Sequence, residues 1–276
     1  MANSQWLAIT IGNTHGRIGE FWGKTLTQVQ RLTHAEITEL LITPEKYLSP
    51  HFAPLAHYLT SYSSHPPNHA TDYLKDYATP IRLASVVPDL VTDWRHLPAV
   101  TYLTLTDIPI KGMYPTLGID RALAAWGAGQ TYGFPVLVID GGTALTFTAV
   151  DHEQNFQGGA ILPGLATQLQ SLHTNTAALP LTQLPSQLPE IWGKDTISAI
   201  HSGIIHTAIA SMERFIRQWQ RDHSAGAIVF TGGDGAQLYQ WLQQESVVNL
   251  EKNPEQNSYP KLYLEPDLVL LGMIPT

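Results

Sequence analysis

The chain alternates between short apolar runs and glycine-bearing turns, and that rhythm predicts its elements. Trp6–Ile11 (WLAITI) and Arg17–Trp22 (RIGEFW) read as strands joined through Gly12-Asn13-Thr14, an opening β-hairpin. Thr27–Leu32 follows as a third strand, and Pro44–Tyr58 as a helix with Pro44 in its first turn. Ser61–Thr71 (SYSSHPPNHAT) reads as a polar, proline-bearing loop. Ile81–Val87, stopped by Pro88, and Ala99–Leu105 are buried-type strands. Thr106–Thr116, with Pro109, Gly112 and Pro115, is the best junction between domains.

From Gly118 the theme restarts. Ile119–Tyr132 is an alanine-rich helix, and strands Pro135–Ile139 and Ala144–Val150 flank Gly141-Gly142-Thr143. Phe156–Leu162 adds a strand and Gly164–Thr174 a helix, while Ala178–Trp192, with three prolines, should be an irregular surface strip. Thr196–Arg221 is a long helix whose Ile197, Ile200, Ile204 and Ile205 mark a core stripe. Strand Ala227–Phe230, Thr231-Gly232-Gly233 and helix Ala236–Gln243 come next. A polar connector, Ser246–Pro260, and a helical turn, Pro266–Gly272, close the chain. Each half thus starts strand, glycine turn, strand. No short-period repeat underlies the echo, which excludes a solenoid. The pattern predicts an α/β protein of two related lobes, residues 1–112 and 113–276, with mixed sheets flanked by helices. A ligand is expected in the cleft between lobes.

Composition removes several function classes. The 276 residues are 43% hydrophobic and 14% charged, ample for a core and too apolar for disorder. With 15 Lys+Arg against 23 Asp+Glu, the formal charge of −8 argues against nucleic acid as a partner. The absence of cysteine excludes disulfides, thiolate metal sites and a cysteine nucleophile. The start MANSQWLAITIG has no signal-peptide character, and no window approaches a membrane span of roughly 18 apolar residues. A cytoplasmic protein with no membrane partner is the expectation. The 12 histidines are scattered and lack the spacing of a dedicated metal site.

Three glycine-punctuated segments carry the candidate chemistry: Leu7–Phe21, Val136–Asp151 and Gly226–Leu238. Glycine lets a backbone approach phosphate, and Asn or Thr side chains add donors; the same residues also make ordinary hairpin turns. One such turn carries little weight, whereas three in one chain point to a nucleotide-handling enzyme. Asp140 ends a strongly apolar strand, where a carboxylate suits a cation near phosphates or a capped turn. Asp120-Arg121 opens a helix. It suits a general base beside a guanidinium that clamps an anionic substrate, and equally a first-turn acid favoured by the helix dipole. Gly158–Gly164 could aim helix N–H groups at a ligand or turn a corner. In Gly193-Lys194-Asp195-Thr196, Asp195 or Thr196 is a natural cap.

Taken in order, IGNT, ASVVP, GIDRALAAWGA, IDGGTALTFTAVD, GGAILPG, TAALP, GKDTISAIHSGI, FTGGDGAQL and EPDLVLLGM resemble the type III pantothenate kinases nearly end to end. These belong to the acetate/sugar kinase–Hsp70–actin superfamily. The resemblance implies two ribonuclease-H-like (actin-like ATPase) lobes and ATP-dependent phosphorylation of pantothenate to 4'-phosphopantothenate, the first step toward coenzyme A. It makes Thr10, Ile11, Gly12, Asn13, Thr14, His15, Gly16 and Arg17 the first ATP segment, with Thr143 a further ATP contact. Asp120 becomes the general base, and Gly118, Ile119, Arg121 and Thr196 join it around pantothenate. Asp140 would hold a monovalent cation, K+ or NH4+. Mg2+ would accompany ATP, and a homodimer is implied.

The chain departs from the family pattern at two places. The first motif usually begins with aspartate near the Mg2+ of ATP, and Thr10 stands there instead, which implies weakened metal or ATP handling. The family's substrate tyrosine usually lies further upstream of Gly-x-Asp-Arg than Tyr114, with Lys111 nearer that spacing, so Tyr114 stays outside the expected site. Two other functions compete. One is a catalytically weak relative acting as a transcription accessory, a role ascribed to some family members; the other is a kinase for another small alcohol.

Overall fold

The computed structural model describes residues 4–64, 79–97, 99–223, 225–252 and 261–275. The chain forms two compact units. One comprises Met1–Ile108, Tyr114–Leu123 and Val269–Thr276; the other comprises Pro109–Met113 and Ala124–Leu268. The segment bearing Asp120 therefore groups with the first unit, together with the C-terminal residues.

Unit 1 is built on a five-stranded sheet in the order β3-β2-β1-β4-β5. Its strands are β1 (Gln5–Ile11), β2 (Gly16–Trp22), β3 (Thr25–Leu32), β4 (Ile81–Ser85) and β5 (Val100–Tyr102). The first three form an antiparallel meander, and β1, β4 and β5 run parallel. Alternation along β1 sends Leu7, Ile9 and Ile11 into a core with Ile37, Leu40, Phe52, Leu55 and Leu83. The opposite face carries Trp6, Ala8 and Thr10, and Trp6 stacks on Phe21 at 4.0 Å.

Two local readings change here. Helix α1 (His34–Glu39) was not expected, although Thr33 and Glu36 form a capping box before it. The expected helix Pro44–Tyr58 is instead two 3-10 turns, Pro44–Lys46 and Pro50–Phe52, followed by α2 (Ala53–Ser64). Pro50 has no N–H and would clash with the carbonyl of the preceding turn, so a helix started at Pro44 cannot run through it. Ser61–Ser64 of the expected loop belong to α2, and the rest of that loop lies outside the described residues.

Unit 2 repeats the topology, in the order β10-β9-β6-β7-β8. Helix α3 (Ile119–Tyr132) precedes β6 (Val136–Gly141), β7 (Ala144–Val150), β8 (Phe156–Pro163), α4 (Leu165–Asn175), α5 (Thr196–Asp222), β9 (Ala227–Thr231), α6 (Gly235–Lys252), β10 (Leu262–Leu264) and α7 (Leu268–Leu271). Strands β6, β7 and β8 form the antiparallel meander, and β6, β9 and β10 run parallel. Both sheets thus have the ribonuclease-H-like arrangement, with helices packed on them.

Helix α5 buries Ile200, Ile204, Ile205, Ile209, Met212, Ile216 and Trp219 along one face. Ile197, expected in that stripe, is 48% exposed instead, because it lies in the first turn ahead of the sheet contact. Helix α6 runs past Gln243 to Lys252, so the expected connector begins as helix; residues 253–260 lie outside the described residues. The strip Ala178–Trp192 has no helix or strand. Side chains of α5 pin it: Ser202 Oγ donates to the Ile191 carbonyl at 2.6 Å, and His206 Nε2 to that of Pro189 at 2.9 Å.

Candidate active site

In unit 2 the parallel pairing of β6 with β9 sets Asp140 directly beside Thr231. This joins the second and third glycine segments. Gly232 has φ +88°, and a Cβ there would strike Asp140 Oδ1 and the Gly141 carbonyl. Only glycine allows that approach. The Gly141 carbonyl accepts the Asp234 N–H at 2.8 Å, which ties the turn after β6 to the start of α6. The other side is tied to α4. Thr143 offers its carbonyl to the Gly164 N–H at 2.9 Å and to the Thr167 hydroxyl at 2.7 Å. A Cβ on Gly164 would collide with the Gly142 and Thr143 carbonyls. Gly142-Thr143 is therefore a short turn clamped from both sides, with the Thr143 side chain exposed.

In unit 1 the corresponding turn is longer, running from Gly12 to His15 between β1 and β2. The Gly12 N–H donates to the His15 carbonyl at 3.0 Å, leaving Asn13 and Thr14 exposed at the tip. His34 Nε2 donates to the Gly12 carbonyl at 2.9 Å, and Arg31 Nη2 donates to His15 Nδ1 at 3.0 Å. Partial burial, then the charges of Arg31 and His34, hold the His15 imidazole below its ordinary pKa. Sequence reading missed Arg31 and His34. The cue available was register, since a hairpin tip followed by a third strand brings that strand's end back beside the tip.

The Asp120 segment also lies in unit 1. Asp120 is the second residue of α3, and its Oδ1 accepts the Arg121 N–H at 2.8 Å. A Cβ on Gly118 would stand 2.5 Å from that same oxygen, so glycine at this position lets the carboxylate fold back over the helix start. Burial pushes the Asp120 carboxyl above its ordinary pKa, against the lowering pull of the Arg121 N–H and guanidinium. Arg121 is 7% exposed and donates from Nη1 to the Tyr114 hydroxyl at 3.1 Å. Tyr114, left outside the expected site, is thus in contact with one of its members. Ile119 buries its side chain, so a ligand would meet its backbone.

Thr196 belongs to unit 2 and opens α5. The cap is Asp195, which accepts the Ser198 N–H and Oγ–H, each at 2.9 Å, and leaves Thr196 exposed in the first turn. Among the described residues no group of three or more His, Asp or Glu gathers as a metal site. Beside Gly232 the Asp140 carboxylate and the Gly141 carbonyl lie together, and Asp234 packs against Gly141.

Two ribonuclease-H-like units, each presenting a glycine turn at the end of its first strand, define an actin-like phosphotransferase or ATPase. The chain belongs to the type III pantothenate kinase family, whose model matches residues 6–218. A type III pantothenate kinase of Nostoc sp. is 37% identical over 287 residues, covering 98% of this chain and 93% of the relative. One from Synechocystis sp. is 43% identical over 197 residues, covering 70% and 75%. A crystal structure of a Baf family transcriptional activator from Campylobacter jejuni superposes with TM-score 0.58 at 19% identity, covering 97% of this chain and 94% of that one; it is similar in fold.

Proposed function

We propose that this chain is an ATP-dependent pantothenate kinase in which Asp120 accepts the proton of the substrate hydroxyl. One observation carries the assignment: in a chain of the type III pantothenate kinase family, a half-buried carboxylate of raised pKa lies beside a buried guanidinium. Phosphoryl transfer asks a protein mainly for positioning and charge. The turn Gly12–His15 and its flanks, Thr10, Ile11, Gly16 and Arg17, together with Thr143, supply backbone and side-chain donors for the ATP phosphates. Arg121 pairs with the pantothenate carboxylate, a charge-assisted contact held in place by the Tyr114 hydroxyl. Gly118 and Ile119 present backbone, and Thr196 a hydroxyl, to the rest of that substrate. Asp120 then takes the hydroxyl proton as the oxygen bonds to the γ-phosphorus and ADP leaves.

Asp140, with the carbonyls around it, would hold K+ or NH4+, which supplies positive charge near the phosphates. Mg2+ enters as part of the nucleotide substrate. The protein acts in the cytoplasm as a homodimer. The competing reading, a transcription accessory, has no support from relatives at 36–43% identity, all of which carry the kinase name. The test is ATP-dependent phosphorylation of pantothenate by purified protein with Mg2+, in potassium and in sodium buffer. Turnover that depends on potassium is the expected result. Folded protein inactive in both buffers, but active on another small alcohol, would move the assignment to that substrate.

A further inference from the structure

The sheet of unit 2 buries one hydroxyl for which the fold itself supplies no partner. Thr146 of β7 is 8% exposed, and its Oγ1 is the one buried serine or threonine hydroxyl without a hydrogen bond among the described residues. A hydroxyl taken out of water and left unpaired is destabilising, and valine would fill the same space without that cost. The group is therefore placed for something that arrives from outside the chain.

Its neighbours define the chemistry of that occupant. Thr146 pairs with Asp140 across β6 and β7, so the two side chains stand on one face of the sheet. Directly opposed residues have Cβ atoms about 4.5–5.5 Å apart, yet no hydrogen bond joins this hydroxyl to the carboxylate. A single ion between the two strands would touch both. On its other side Asp140 pairs with Thr231, and its Oδ1 lies against Gly232, where glycine alone leaves room. Thr146 in turn pairs with Ile161 of the edge strand β8. Ile161 is 64% exposed, so the row opens to solvent at that end. An occupant of this row meets a carboxylate and a hydroxyl oxygen. Asp140 would repel an anion, whereas a hard cation takes oxygen ligands and the hydroxyl offers it lone pairs.

We propose that the Thr146 hydroxyl is a cation ligand, sharing one ion with Asp140 across β6 and β7. The proposal rests on the reading of Asp140 as the residue that holds K+ or NH4+, and it adds a neutral ligand from the neighbouring strand.

The experiment is thermal melting of the protein, alone and with ADP, in potassium, ammonium and choline chloride at one ionic strength. It compares wild type, Thr146→Val, Thr146→Ser and Asp140→Asn. Potassium titrated into choline buffer gives the half-saturating concentration of each protein. Wild type should melt higher in potassium or ammonium than in choline. Thr146→Val removes the hydroxyl at nearly constant shape and should raise the half-saturating potassium concentration about tenfold or more, the effect of losing one contact to a charge. In choline it should melt no lower than wild type, because it buries no unpaired hydroxyl. Thr146→Ser keeps the oxygen and should keep the wild-type potassium concentration, whatever its Tm.

A wild-type potassium response in Thr146→Val would overturn the proposal. So would a Thr146→Val that melts below wild type in choline, since the hydroxyl would then have its partner within the fold. Asp140→Asn separates the two readings. A response lost there and kept in Thr146→Val removes Thr146 alone. A response kept in both variants, or absent from wild type, removes the Asp140 site as well. Pantothenate turnover by wild type, measured alongside, tests the kinase reading by itself.

Discussion

The two units share a sheet topology and differ in the turn after the first strand. In unit 1 it runs from Gly12 to His15, exposes Asn13 and Thr14, and is braced by His34 and Arg31. In unit 2 it is Gly142-Thr143, clamped to α4 through Gly164 and Thr167, with Asp140 before it. One turn stands beside Arg31 and the other follows an acid. On the proposed reading the same fold supplies an anion-binding turn once and a cation-binding turn once. The acids diverge as well: Asp140 ends a strand, whereas Asp120 of unit 1 opens a helix, where burial raises its pKa. The proposed proton chemistry belongs to the second of these and the proposed cation holding to the first.

The sharpest way to break that division is to neutralise each acid in turn. Asp120→Asn should lower kcat by about 10²–10⁴, the usual worth of a general base, and leave ATP affinity nearly unchanged. Equal loss of ATP binding would make Asp120 structural. Because the base must be ionised, kcat/KM for pantothenate should fall on the acid side at a pH above the ordinary aspartate value of about 3.9. Stability gives an independent check. The folded-state pKa is raised, so the cost of holding the charge is absent below the unfolded pKa. It grows as pH rises toward the folded pKa and is complete above it. Asp120→Asn should therefore melt higher than wild type at pH 7 and equal to it at acid pH.

The turns themselves respond next. Gly164→Ala drives a methyl into two carbonyl oxygens, and no side chain can yield to it. Overpacking of this kind costs about 1–3 kcal/mol or more, a fall of roughly 2–10 °C in Tm for a chain of this size, with kinase activity reduced accordingly. Gly12→Ala meets only the His15 carbonyl, at 3.2 Å, and should shift Tm by less than about 2 °C. Equal damage at both positions would mean that the two turns are equally rigid.

Most of this was legible in the chain. The hairpins, α5 and the irregular strip after α4 were announced by period and by glycine and proline placement. What escaped was local or depended on register. Helix α1 is only His34–Glu39, too short to show a helical stripe, though Thr33-x-x-Glu36 marks its start. Strand β10 is Leu262–Leu264, and its pairing with β9 rather than its own pattern makes it a strand. Thr196 and Asp195 were indistinguishable as caps until the Ser198 bonds were in place. Arg31 had no motif at all. Only the pairing of β2 with β3 brings it to the turn.

Asp140→Asn should act through the cation. It keeps the shape beside Gly232 and removes the charge, so the activation by potassium over sodium should shrink toward unity while kcat in sodium changes by less than about tenfold. Retained potassium activation would move the cation site away from unit 2's acid.

The smallest effect belongs to Thr10, the residue of β1 paired with Arg17 beside the first turn. Thr10→Asp restores an acid directly opposite Arg17, and a cross-strand pair of opposite charge contributes about 0.2–1 kcal/mol. The carboxylate can anchor metal-bound water, so less Mg2+ should be needed for half-maximal activity. A lower Mg2+ requirement in a titration of kinase activity would tie the Thr10 position to the metal of ATP. If Mg2+ dependence stays at the wild-type value, Thr10 has no part in metal handling, and the contrast between the two turns lies in their length alone.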